Sequence, residues 1–171
     1  AVFMLALPIA GFLAGPLRAL TVVATGTMLK LTSLQAVIEG DVIRIPGGTF
    51  LVERGCAGIG FLMSGLTLGV LYAFIIPMSR SARWAIIAVA AGTSIVANWI
   101  RVFGLVVIGH VTNMQSPLMT DHATYGWVIF ALSLPAFFLV ARRLERWRPS
   151  PDQLPVDAAP ARELGLRIYP L

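Results

Sequence analysis

The sequence predicts an all-α, polytopic transmembrane helix bundle that carries a small β-hairpin outside the membrane. Three observations support this prediction: 57% of the 171 residues are hydrophobic, only 12% are charged, and the mean hydropathy is +0.83. A typical soluble domain has about 25% charged residues, so this chain has too few charges for a water-exposed surface. The composition excludes a cytosolic enzyme, a disordered chain and a nucleic-acid-binding protein, and the lipid bilayer is the expected surrounding.

Two apolar segments come first. Residues 1–15 are short for a span of about 20 residues, and we expect them to end at Pro16 and Arg18. Residues 19–38 are long enough to cross, but Lys30 and several threonines favour either a tilted span or an interfacial helix.

The hairpin is expected after these segments. Residues 42–45 and 49–52 are rich in strand-forming side chains and flank the turn Pro46-Gly47-Gly48. Open sheet edges cannot face lipid, so the hairpin should lie at the membrane surface.

The rest of the chain predicts three full spans. In the first of these, Gly65 and Gly69 form a small-xxx-small pair that lets a neighbouring helix approach closely. The expected segments are spans at 57–77, 84–104 and 123–140, an apolar stretch at 105–111 too short to cross, and a re-entrant or interfacial polar turn at 110–121.

We expect one membrane domain over residues 1–143, followed by a basic flank and a disordered cytoplasmic tail over residues 144–171, with five prolines in the tail. Residue 1 is alanine inside an apolar run, so the domain is expected to be truncated at its N-terminus. The single cysteine excludes an intrachain disulfide.

Arginines set the expected orientation. Those that flank the last two spans lie on one side, which the positive-inside tendency makes cytoplasmic, and Arg18 is expected there too. Cys56 then lies at the outer end of its span, and His122 begins the last span from the outside. Arg101 is 17 residues into its own span, about 26 Å of helical rise, and reaches the same level.

A thiol, a guanidinium and an imidazole at one level predict acyl transfer at the membrane–water boundary. Cysteine and histidine make a nucleophile–base pair, and Arg101 suits the oxyanion of a tetrahedral intermediate. Asn98 lies one turn before Arg101 on the same helix face, so it would orient Arg101 or contact substrate.

Two alternatives belong to other classes of protein. A non-catalytic scaffold or transporter fragment would use Arg101 and Asp121 as a structural ion pair. A metal-dependent hydrolase would use His110 and His122, although no close ligand spacing supports it.

Three motifs, in order, resemble the exosortase family over roughly residues 8–143. They are Ile45-Pro46-Gly47-Gly48-Thr49-Phe50 followed by Val52-Glu53-Arg54-Gly55-Cys56-Ala57-Gly58, then Ala97-Asn98-Trp99-Ile100-Arg101-Val102-Phe103-Gly104, and finally Gly109-His110 with Asp121-His122-Ala123-Thr124-Tyr125-Gly126-Trp127-Val128. One departure is Ala57, where the family commonly has serine.

The resemblance implies a multi-pass protein of the Gram-negative inner membrane that processes PEP-CTERM proteins in connection with exopolysaccharide production. Such substrates end in a Pro-Glu-Pro motif, a transmembrane helix and a basic cluster. Cys56 would be the nucleophile, and Arg101 and His122 the conserved partners. Asn98, Asp121 and Gly58 would support the site or bind substrate, at the periplasmic face, with no cofactor and no metal.

Overall fold

The computed structural model describes residues 2–32, 34–119 and 121–144. Its helices are α1 (Val2–Lys30), α2 (Ile59–Ile75), α3 (Arg80–Val111) and α4 (His122–Leu144), and an antiparallel sheet between α1 and α2 has the order β1 (Val37–Glu39), β2 (Val42–Ile45), β3 (Gly48–Leu51). Within these residues, three segments are long and apolar enough to cross a membrane: Gly11–Lys30, Arg80–Val111 and His122–Leu144. With the shorter apolar α2, they confirm the predicted helical membrane bundle.

The first helix is longer than predicted. The expected break at Pro16 and Arg18 is wrong, because α1 continues through both residues as one helix of 29 residues. It ends at Lys30, so the expected segment 19–38 is also wrong at its C-terminal end. A proline is tolerated inside an apolar helix when neighbouring groups satisfy the carbonyl that it leaves free.

The predicted hairpin is confirmed, and a third strand extends it. β2 and β3 pair around the Pro46-Gly47 turn, with Val42 opposite Leu51 and Ile45 opposite Gly48. β1 adds to the free edge of β2 through a turn at Gly40, which has a φ of 60°. The composition of residues 37–39 did not distinguish a strand from the end of the preceding apolar segment.

The close approach of α2 to α3 depends on two glycines, as the sequence predicted. A side chain at Gly65 would collide with Ser94, and a Cβ at Gly69 would lie 2.5 Å from that of Ala90. Small residues give TM helices this contact because dispersion and interhelical hydrogen bonds replace the hydrophobic effect in lipid.

The predicted break after Gly104 is wrong, because α3 runs without interruption to Val111. Its 32 residues correspond to about 48 Å, against a hydrocarbon core of about 30 Å. The last part of α3 therefore extends beyond the core and supports the sheet. Gly109 leaves room for the Phe50 ring, and His110 Nδ1 lies 3.1 Å from the Pro46 carbonyl oxygen.

Two apolar clusters mark the two ends of the bundle. The sheet end is built from α1, α3 and the sheet, and its buried members are Val22, Leu29, Ile43, Ile45, Val52 and Val106. The basic end lies where α3 begins and α4 finishes, and its cluster includes Met78, Ala82, Ile86, Phe137 and Ala141. Arg80, Arg83, Arg142 and Arg143 flank this second cluster.

Arg18 is not at the basic end, contrary to the prediction. Its Nη2 lies 3.0 Å from Asp41 Oδ2, in the turn between β1 and β2. Arg18 therefore stabilises the junction of α1 with the sheet and does not report orientation. The basic flank and disordered tail predicted for residues 144–171 lie outside the described residues, apart from Leu144, which is the last residue of α4.

Candidate active site

Arg101 lies at the sheet end of α3, with only 6% of its surface exposed. Its Nη2 donates a hydrogen bond of 3.3 Å to the backbone carbonyl of His122, the first residue of α4. Its Cζ lies 5.8 Å from the centroid of the Phe61 ring on α2. The buried Nε has no hydrogen-bond partner in the described part of the chain. A buried donor without a partner is costly, so an acceptor brought to this guanidinium would lower its free energy.

Gly126 forms the α4 side of the Arg101 site. A Cβ at this position would lie 2.9 Å from Arg101 Nε and 3.4 Å from its Cδ. The space that a side chain at residue 126 would fill is therefore taken by Arg101 of α3.

Cys56 lies in a short 3-10 turn, Arg54–Ala57, directly before α2. Its backbone N–H donates to the Glu53 carbonyl at 2.9 Å, and its own carbonyl accepts 2.9 Å from Asn98 Nδ2. The residue is half-buried and contacts the apolar cluster at the sheet end. Its backbone is therefore fixed from both sides, and part of the side chain remains accessible.

Asn98 holds the cysteine turn. It is 1% exposed, and besides the Cys56 carbonyl its amide lies 3.4 Å from the Thr21 hydroxyl on α1. Gly58, with a φ of 80°, has no room for a side chain because its Cβ would lie 2.7 Å from the Asn98 amide. Among the described residues, Asn98 makes no hydrogen bond to Arg101, one of the two roles expected for it. Its amide points instead toward Thr21 and the carbonyl of Cys56.

Asp121 caps α4 and does not pair with Arg101. Its Oδ1 accepts the Thr124 N–H at 3.1 Å, and the hydrogen bond with Thr124 holds the pKa of Asp121 below its ordinary value of 3.8. Nearby His122 lowers this pKa further. The structural ion pair that the scaffold alternative requires is therefore not seen among the described ion pairs.

His122 and His110 have different surroundings. His122 is exposed, and within residues 121–144 and the other described ranges its imidazole has no hydrogen-bond partner. His110 is about two and a half turns farther along α3 from Arg101 and contacts the hairpin turn. Among the residues that the structure describes, no group of three or more His, Cys, Asp or Glu side chains could hold a metal ion.

A cavity of about 230 Å³ lies beside Arg101. It lies between α2 and α4, with Arg101 on its inner wall. Its lining is aromatic or small, and consists of Gly55, Gly60, Phe61, Ser64, Arg101, Ala123, Gly126, Trp127 and Phe130. Gly55 and Ala123 are the chain neighbours of Cys56 and His122, so the cavity reaches both segments predicted to carry the reaction.

One known protein family matches most of the chain. Residues 1–139 match the family model of the transmembrane exosortases (Exosortase_EpsH). The chain belongs to the exosortase family. Membership indicates a membrane-embedded cysteine peptidase or transpeptidase that acts on other proteins. No similar curated protein and no similar solved structure was found.

Sequence reasoning missed three residues around the exosortase site. Thr21 is a buried hydroxyl on an apolar helix, and its burial at 1% could be anticipated only once α1 was known to pack on α3. Phe61 and Trp127 are aromatic residues in apolar spans, where nothing in the sequence separates a cavity wall from a lipid contact.

Proposed function

We propose that this exosortase is a cysteine transpeptidase or protease that cleaves the C-terminal PEP-CTERM signal of exported proteins through a thioester intermediate. One observation carries the proposal: a buried guanidinium with a free Nε lines a cavity that reaches the Cys56 turn and the start of α4. A scaffold would have no use for such an unpaired donor, whereas a peptide carbonyl would satisfy it.

The first half-reaction forms the thioester. His122 takes the proton of the Cys56 thiol, and the sulfur attacks the carbonyl carbon of the scissile peptide. The resulting oxyanion is stabilised by Arg101, whose Nε is already free and desolvated. The C–N bond then breaks, and the imidazolium of His122 gives its proton to the leaving amine.

The second half-reaction releases the new C-terminus. A nucleophile, either water or an amine, loses a proton to His122 as it attacks the thioester carbonyl. Arg101 stabilises the second tetrahedral intermediate, its collapse breaks the C–S bond, and the His122 imidazolium returns its proton to the released sulfur, which regenerates the thiol. Hydrolysis and transpeptidation differ only in which nucleophile enters.

The remaining residues position this machinery. Asn98 fixes the carbonyl of Cys56, and Gly58 allows that amide to approach the turn. Asp121 caps α4, and the carbonyl of His122, the first residue of that helix, accepts the hydrogen bond from Arg101. Ala57 has no hydroxyl and is 2% exposed, so the oxyanion depends on Arg101 and on backbone N–H groups where other family members have serine.

The orientation follows from charge. Arg80, Arg83, Arg142 and Arg143 lie at the basic end, so this end faces the cytoplasm under the positive-inside rule. The site at the sheet end then faces the periplasm of the inner membrane. A substrate anchored by its own C-terminal helix would present its scissile bond at that level.

A cleavage assay in reconstituted membranes tests the function. The purified chain is mixed with a PEP-CTERM protein, and the new C-terminus is identified by mass spectrometry. We expect Cys56→Ala to abolish cleavage and Arg101→Lys to lower it strongly, because lysine lacks the planar guanidinium fork. Thr67→Val, an exposed position whose hydroxyl contacts only its own helix, is the matched control and should cleave normally. Full cleavage by Cys56→Ala would refute the proposal.

A further inference from the structure

We propose that Gly126 is a positioning residue, which sets the place of the Arg101 guanidinium by leaving room for it against α4. This inference rests on the proposed function, since it assigns Gly126 a role through the arginine that stabilises the oxyanion. It also explains why a glycine lies inside an apolar helix, where glycine otherwise weakens the helix.

The contact is specific to the reactive part of the arginine. A Cβ at residue 126 would lie 2.9 Å from Nε, 3.4 Å from Cδ and 3.5 Å from Cζ of Arg101. The nearest of these atoms is the same Nε that lacks a partner. A methyl group would therefore displace the donor that the reaction uses, since the three atoms nearest to it all belong to Arg101.

Arg101 has little freedom to adjust without losing its position. On the α2 side its guanidinium faces Phe61, and Nη2 is bound to the His122 carbonyl at the start of α4. Movement away from residue 126 must lengthen the hydrogen bond of 3.3 Å or change the place of the guanidinium over the Phe61 ring. The end of an arginine side chain can move without unfolding its helix, so the damage should fall on catalysis more than on folding.

The test is a kinetic comparison of Gly126→Ala with Gly92→Ala. Gly92 is a helical glycine of α3 with no atom within 4 Å of an added Cβ, so it controls for the change in helix propensity. Removal of one oxyanion donor lowers kcat by about 100- to 1,000-fold, and a displaced donor should cost about tenfold or more. We expect this loss in kcat for Gly126→Ala, with KM nearly unchanged, and wild-type kinetics for Gly92→Ala.

A double-mutant cycle shows whether Gly126 acts through Arg101. In an Arg101→Ala background the added methyl group has no guanidinium to displace, so Gly126→Ala should have no further effect on kcat. Thermal unfolding of the wild type, the two single variants and the double variant tests the same contact independently of activity. Any drop in Tm caused by Gly126→Ala should disappear when Arg101 is alanine.

The outcomes separate the inference from the proposed function. If Gly126→Ala cleaves like the wild type, or lowers kcat equally with and without Arg101, the inference is wrong even though Cys56→Ala is inactive. If Cys56→Ala still cleaves, the proposed function is wrong, and the unfolding cycle alone then decides whether residue 126 and Arg101 are coupled.

Discussion

Replacement of Asn98 by alanine should weaken both the fold and the reaction. The Asn98 amide joins α1 to the turn that carries the cysteine, through bonds of 2.9 Å to the Cys56 carbonyl and 3.4 Å to the Thr21 hydroxyl. The substitution removes both bonds, leaves the Cys56 carbonyl without that donor, and empties space against Gly58.

The magnitude follows from these contacts. An interhelical hydrogen bond in a membrane protein contributes about 0.6 kcal/mol on average and about 1.7 kcal/mol at most. The longer bond to Thr21 adds less, and the lost packing of a side chain that is 1% exposed adds a comparable amount. We therefore expect a loss of about 1–3 kcal/mol in the free energy of unfolding.

The effect on cleavage should be larger than the effect on stability. A misplacement of about 1 Å in a reacting group can lower the rate by about 100-fold, so kcat/KM should fall by about 10- to 100-fold. Thermal unfolding in detergent and cleavage of a PEP-CTERM protein measure the two effects on the same sample.

A pair of threonine variants on α1 provides the matched control. Thr21 and Thr27 each donate a hydrogen bond of 2.8 Å to the carbonyl four residues earlier, but only Thr21 also contacts Asn98. Thr21→Val should lower cleavage in the same direction as Asn98→Ala, and Thr27→Val should not. Wild-type stability and cleavage in Asn98→Ala would refute the proposed role of this residue.

Three further predictions concern the scaffold. Gly69→Val should lower the free energy of unfolding by about 1–3 kcal/mol, because its Cβ would lie 2.5 Å from that of Ala90 in the α2–α3 contact. Gly92→Val should lower it less, and chemical unfolding in mixed micelles compares the two variants. Ile43 has no exposed surface, so Ile43→Ala should lower the free energy of unfolding by about 2–5 kcal/mol. Ile38 is 37% exposed, so Ile38→Ala should lower it much less in the same assay. The pKa of Asp121 is lower in the folded chain than its ordinary value of 3.8, so its contribution to stability is complete above that value and is lost as the pH falls through the folded pKa. The Tm of the wild type should therefore drop more below about pH 4 than that of Asp121→Asn, and equal slopes for the two proteins would contradict this.

The sequence predicted the parts of the fold that depend on composition and short spacing. Gly65 and Gly69 identified the α2–α3 contact because close helix approach in lipid requires small residues at such a spacing. The Pro46-Gly47-Gly48 turn identified the hairpin for an equally local reason. Both features are decided by residues near each other in the chain.

Predictions failed where a distant part of the chain decides the structure. Residues 105–111 are too few to cross a membrane, yet they continue α3 because β3 covers that part of the helix. Arg18 looked like a marker of the cytoplasmic side, but Asp41 of the sheet binds it.

The site itself was only partly accessible to sequence reasoning. Topology placed Cys56, Arg101 and His122 at one level, and in the structure α3 contacts the backbone carbonyls of both Cys56 and His122. The catalytic roles of the three residues stay predictions. The cavity wall could not be predicted, because Phe61 and Trp127 have no local signal that separates them from lipid-facing aromatics.

Capture of the thioester tests the central claim most directly. Hydroxylamine added during cleavage of a PEP-CTERM protein should attack the acyl-enzyme, free the Cys56 thiol and leave a hydroxamate at the new C-terminus, which mass spectrometry identifies. We expect the hydroxamate with the wild type and none with Cys56→Ala. Cleavage by the wild type without any hydroxamate, or the same hydroxamate from Cys56→Ala, would contradict a thioester on Cys56.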